Sequence, residues 1–94
     1  MLKVIAKCLV KAEEIQTFKQ YTIKLIEETR KEAGNISYAL YEDIANPQII
    51  TFIEEWQDKE ALDQHMNSEH FREIFPKLKA LQEKEIEVNL YKKC

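Results

Sequence analysis

An α+β domain built on one four-stranded antiparallel sheet is predicted by three observations. The hydrophobic period along the chain switches between two and about 3.6. The segments so marked follow the order β-α-β-β-α-β. With 94 residues there is room for one domain, residues 1–94, and one modest core. That order is the ferredoxin-like arrangement, in which the helices cover a single face of the sheet.

The first strand runs from Leu2 to Val10, where Leu2, Val4, Ala6, Cys8 and Val10 occupy alternate positions. From Ala12 to Ala33 the period lengthens. Ile15, Phe18, Thr22, Leu25, Ile26 and Thr29 recur every three or four residues, so this stretch is a long amphipathic helix. Glu13 and Glu14 near its start, and Arg30 and Lys31 near its end, suit the helix dipole. Gly34, the only glycine, is the expected C-terminal stop. Alternation returns from Asn35 to Asp43, Ala45-Asn46-Pro47 reads as a turn, and Gln48 to Gln57 forms a third strand.

Asp58 is placed to cap a short helix carrying Ala61, Leu62, His65 and Met66, which Asn67-Ser68 interrupts. Ser68 can cap the next helix, whose apolar positions are Phe71, Ile74, Phe75, Leu78 and Leu81, with Pro76 expected to bend it. A strand from Glu85 to Tyr91 closes the sheet. The sheet would be apolar on both faces, because Ile5, Leu9, Ile49 and Ile53 alternate with the other apolar set. Helices on one side leave the second face bare, and a second copy of the chain is the economical cover. A homodimer packed sheet to sheet follows.

Charge and cysteine usage narrow the partners. The formal net charge is −3 with both signs interspersed, which gives no footprint for nucleic acid. No apolar run is long enough to span a membrane. Two cysteines, Cys8 and Cys94, make no disulfide framework and suit a reduced, cytoplasmic protein.

The stretch Glu54-Glu55-Trp56-Gln57-Asp58, followed by Ala61-Leu62, His65, Ser68 and His70-Phe71, resembles the antibiotic biosynthesis monooxygenase superfamily, most closely its quinol monooxygenase branch. The resemblance implies a dimeric α/β barrel formed by two facing sheets, with a pocket in each subunit between sheet and helices. It also implies oxidation of an electron-rich phenol by dioxygen with no metal or other cofactor. Such chemistry needs a base for the phenol proton, donors for charge growing on oxygen, and a water-poor cavity.

Candidate residues follow. His65 stands on an apolar helix face one turn after Leu62. It reads either as a packed side chain or as the group that moves the proton, since an imidazole titrates near neutrality. Glu54 and Trp56 share one strand face. If that face meets the helices, Glu54 could orient His65; if it meets a second subunit, it would pair there instead. Trp56, Tyr38, Phe52, Phe71, Phe75 and His70 are candidate substrate-binding residues, and most of them are equally suited to a core or an interface. His65, Glu69 and His70 do not have the spacing of a helical two-histidine metal site, and no metal is expected.

The haem-degrading branch uses an asparagine, a tryptophan and a histidine near the positions of Cys8, His65 and Phe75, so haem breakdown is not implied. Two alternatives keep the pocket. One is isomerisation of a small phosphorylated compound, with Arg72 or Lys77 as cations at the pocket mouth. The other is small-ligand binding without catalysis.

Overall fold

The computed structural model describes residues 1–94. Its strands are β1 (Leu2–Leu9), β2 (Asn35–Glu42), β3 (Ile49–Trp56) and β4 (Glu87–Lys92), and its helices are α1 (Ile15–Thr29), α2 (Lys59–Met66) and α3 (Glu69–Ala80), with a short 3-10 turn at Ala12–Glu14. The strands pair in the order β2-β3-β1-β4, every neighbour antiparallel, which is the ferredoxin-like sheet. No helix is long and apolar enough to cross a membrane.

Register decides which side chains meet. Val4 stands opposite Glu54, Ala6 opposite Phe52 and Cys8 opposite Ile50. The even-numbered residues of both central strands therefore point the same way. That face lies under the helices and is buried, Glu54 and Trp56 included. Phe18, Thr22, Leu25 and Thr29 of α1, Leu62 of α2, and Ile74 and Leu78 of α3 close the core from above. On the opposite face Ile5, Leu9, Ile49 and Ile53 remain half-buried beside exposed Tyr41 and Tyr91.

Local signals set the helix starts. The Asp58 carboxylate accepts from the Ala61 amide at 2.8 Å, and the Ser68 hydroxyl accepts from the Phe71 amide at 3.3 Å. Pro76 sits inside α3 without ending it.

Two expectations are corrected. The first helix does not reach Ala33: it stops at Thr29, with Arg30 as its C-cap. Residues 31–34 form a turn instead, in which the Lys31 amide bonds to the Glu28 carbonyl and the Glu32 amide to the Thr29 carbonyl. Gly34 is not the helix stop, and its φ is not positive. Its task is close approach, because a Cβ there would stand 2.3 Å from the Ala61 Cβ. The strand limits also move: β3 tightens to Ile49–Trp56, and β4 shifts towards the C-terminus to Glu87–Lys92.

Gly34→Ala should therefore force the turn and α2 apart and cost about 1–3 kcal/mol in urea unfolding, the usual range for overpacking. The double variant with Ala61→Gly should regain most of that loss. An unchanged midpoint in the single variant would mean that the two segments separate freely.

Candidate functional site

Between the sheet and the helix layer lies a cavity of about 430 Å3. Thirteen of its 16 lining residues are hydrophobic, so whatever enters meets mostly carbon. Val4, Ala6 and Phe52 form its floor from the sheet, and Leu62, Phe71, Phe75 and Leu78 its wall from α2 and α3. The Phe71 and Phe75 rings stack at 4.8 Å with planes 16° apart and offer a flat aromatic surface. Val88 and Leu90 of β4 also line the cavity, but each remains about half exposed because the helix layer does not extend over that edge strand.

The polar groups on this wall are few: Glu54, His65, the Tyr38 hydroxyl and, at the rim, Lys59. Glu54 is 5% exposed, and burial pushes its carboxyl up to about 7. The Trp56 indole, donating to Glu54 Oε1 at 2.9 Å, opposes that rise, and the nearby Glu32 adds to it. Burial also holds the Tyr38 phenol well above its ordinary range, reinforced by the Glu54 charge.

His65 is 2% exposed and packed on three sides by rings, with centroids at 4.7 Å for Trp56, 5.0 Å for Phe71 and 5.5 Å for Tyr38. Burial lowers its pKa below the usual imidazole value, and the Glu32 carboxylate acts in the opposite direction. Glu54 does not orient it. Although the Glu54 face meets the helices, the carboxylate is held by Trp56, and His65 Nδ1 lies 2.7 Å from Glu32 Oε2.

Glu32 is the residue that sequence reasoning missed. It stands in the turn that α1 was expected to fill, and its partners lie 33 and 38 positions away in the chain, beyond any periodic signal. His70 Nε2 reaches the same Oε2 at 2.7 Å.

Of the candidate substrate-binding residues, Tyr38, Phe52, Phe71 and Phe75 line the cavity, whereas Trp56 and His70 do not. Trp56 is fully buried behind Glu54 and His65. His70 faces a separate polar depression lined by Lys24, Glu28, Glu69 and Glu73.

Glu32, His65 and His70 present three metal-ligand atoms within 4.8 Å of one another, a two-histidine, one-carboxylate donor set. An ion there would take the place of the hydrogen bonds by which Glu32 now holds the two rings. Cys8 is no nucleophile, since burial drives its thiol up to about 12.

The family model described as antibiotic biosynthesis monooxygenase matches residues 1–77. The chain belongs to this family. A structure reported as an antibiotic biosynthesis monooxygenase superposes with a TM-score of 0.96 at 38% identity, covering 100% of this chain and 99% of that one. A conserved protein from Methanosarcina mazei Go1 superposes at 0.97 with 48% identity, covering 99% and 92%. An uncharacterised protein of Synechocystis sp. is 35% identical over 83 residues, 88% of this chain. The matched segment spans only 56% of that relative's length. The cavity, rather than the polar depression outside His70, is where this family member combines an apolar enclosure with titratable groups.

Stability should report the state of Glu54. Its pKa is raised on folding, from 4.5 to about 7, so the folded state binds the proton more tightly than the unfolded chain. That contribution is fully present below about pH 4.5 and is lost as pH rises through about 7. Glu54→Gln should match wild type in urea unfolding at acid pH. Near pH 8 it should be more stable, by up to about 3–4 kcal/mol at about 1.4 kcal/mol per unit. A constant difference between the two proteins across that range would mean that Glu54 titrates normally.

Proposed function

We propose that this protein is a cofactor-independent monooxygenase acting on a small quinol-like aromatic, with His65 as the base. One observation carries the reading: a cavity of about 430 Å3, almost wholly apolar, has as its inner polar groups a carboxyl and an imidazole whose pKa values are pushed in opposite directions. Family membership and the likeness to a structure reported as an antibiotic biosynthesis monooxygenase support it.

In this scheme a flat phenol lies against Phe71 and Phe75 and gives its hydroxyl proton to His65. The resulting anion transfers one electron to dioxygen, and the radical pair joins as a peroxide anion on a ring carbon that bears hydrogen, which takes the proton back from His65 to become a hydroperoxide. His65 then removes the hydrogen of that carbon as a proton, the C–H electron pair becomes the second bond of a carbonyl, and the O–O bond breaks. The outer oxygen leaves as hydroxide and is protonated to water, so one oxygen atom stays on the product and the other departs, and exchange with solvent resets the protons on His65 and Glu54. The substrate supplies every electron, and no external reductant is required. Glu54, raised to about 7, can supply the proton that the departing oxygen takes up. The apolar walls keep bulk water from the intermediates.

The phosphorylated-substrate alternative loses its support. Neither Arg72 nor Lys77 lines the cavity, and Lys77 lies over the Tyr21 ring at 5.5 Å. Lys59 does reach the rim, but it is paired with Asp63 at 3.0 Å.

The half-buried apolar row on the open sheet face supports a homodimer packed through that face, the expected cover for a sheet with helices on one side only. Two unpaired cysteines suit a reducing cytoplasm.

Metal-stripped protein should consume oxygen saturably with at least one member of a quinol and hydroxynaphthalene panel. His65→Ala should lower that rate by about a hundredfold or more. Saturable binding of the panel without uptake would replace this reading with ligand binding alone. Sedimentation at micromolar concentration should give a dimer, and Ile53→Lys should give a monomer. A monomeric wild type would remove the dimer.

A further inference from the structure

The geometry points to Glu32 as the positioning residue that fixes which nitrogen of His65 faces the cavity, with His70 clamping Glu32 from the far side. The argument starts from a shared oxygen. Glu32 Oε2 lies 2.7 Å from His65 Nδ1 and 2.7 Å from His70 Nε2. A carboxylate only accepts, so both ring nitrogens must carry the proton at those contacts. Neutral His65 is then protonated at Nδ1, and its Nε2 is left with a bare lone pair. That nitrogen bonds no protein group, while the ring itself lines the cavity. A base able to take a proton from a bound phenol is therefore present before any substrate arrives.

Three separate segments are needed for this: the turn after α1 for Glu32, α2 for His65 and α3 for His70. Packing alone does not call for that convergence. His65 is already enclosed by Trp56, Phe71 and Tyr38, and those rings would hold its plane without selecting a tautomer. The carboxylate makes the selection. When His65 accepts a proton at Nε2, the new positive charge lies beside Glu32, where a charge-assisted hydrogen bond stabilises it. His70 gives the shared oxygen a second donor and so limits the swing of a side chain that belongs to a turn. The arrangement has the logic of a base oriented by a third group.

This inference rests on the reading of His65 as the base, but its first test needs no turnover. Nitrogen-15 NMR of the imidazole rings distinguishes a protonated ring nitrogen from a bare one. Wild-type His65 should carry its proton on Nδ1, and Glu32→Ala should move the population towards Nε2. A wild-type His65 protonated at Nε2 overturns the assignment, and so does an unchanged tautomer in folded Glu32→Ala. Should Glu32→Ala fail to fold, the wild-type spectrum still decides.

The second test is kinetic, on whichever quinol is oxidised. Glu32→Gln keeps the shape of the side chain and removes its charge. It should lower kcat by about a hundredfold with KM within about twofold. Equal loss in KM, or no loss in kcat, would leave Glu32 a structural residue. If no quinol is oxidised, the oxygenase reading fails while the tautomer result still settles what Glu32 does to His65.

Discussion

Gly34 has no side chain where the turn after α1 crosses α2, and a Cβ there would stand 2.3 Å from that of Ala61. The contact is small, but it sets how near the turn can come to the helix that carries His65. Two residues earlier in the same turn is Glu32, whose carboxylate must span the remaining gap to His65 and His70. A glutamate side chain has a fixed reach, so pushing the turn outward would lengthen both hydrogen bonds together. The turn is anchored on its other side as well, because the Gly34 carbonyl accepts from the Gln57 amide at the end of β3, at 2.9 Å. Backbone closeness at one position thus places a carboxylate that no local pattern announces.

Sheet register supplies the rest of the site. The pairing of β1 with β3 sends Val4, Ala6 and Phe52 towards the helices, and Glu54 and Trp56 go with them. Burying a carboxyl among apolar groups is costly unless it is bonded or neutral, and both remedies are visible. The Trp56 indole donates to one oxygen, and the raised pKa makes the protonated form common near neutrality. The same burial acts on His65 in the opposite sense, because there the charged form is the protonated one. One dry environment therefore acts on a carboxyl and an imidazole in opposite senses, raising the first and lowering the second, because it favours the neutral form of each.

How much of this could be read from sequence depends on the range of each signal. Strand alternation and the caps at Asp58 and Ser68 are local, and they placed all four strands and the starts of α2 and α3. The end of α1 was misplaced because Arg30, Lys31, Glu32 and Ala33 are good helix formers, so propensity extends the pattern through residues that a tertiary contact needs as a turn. Alternation puts Glu54 and Trp56 on one face, but it does not say which face meets the helices, since the strand is apolar on both sides. That Trp56, not His65, would hold Glu54 depends on side-chain direction in the folded sheet. Glu32 was invisible for the reason that most site residues are: its partners are distant in sequence and its own neighbourhood is an ordinary charged segment.

A domain of this size buries little surface, so a cavity of about 430 Å3 between sheet and helices takes contacts away from an already modest core. Larger side chains at Val4 or Ala6 would shrink it and improve packing, and both positions are small. The space also opens along β4, where Val88 and Leu90 turn towards the helix side and find no helix above them. Small floor residues, an uncovered edge and a buried carboxyl each reduce stability separately, and all three border the same cavity. They meet around His65, and the proposed reaction would use each of them: the uncovered edge for entry, the small floor residues for room, and the carboxyl for proton exchange.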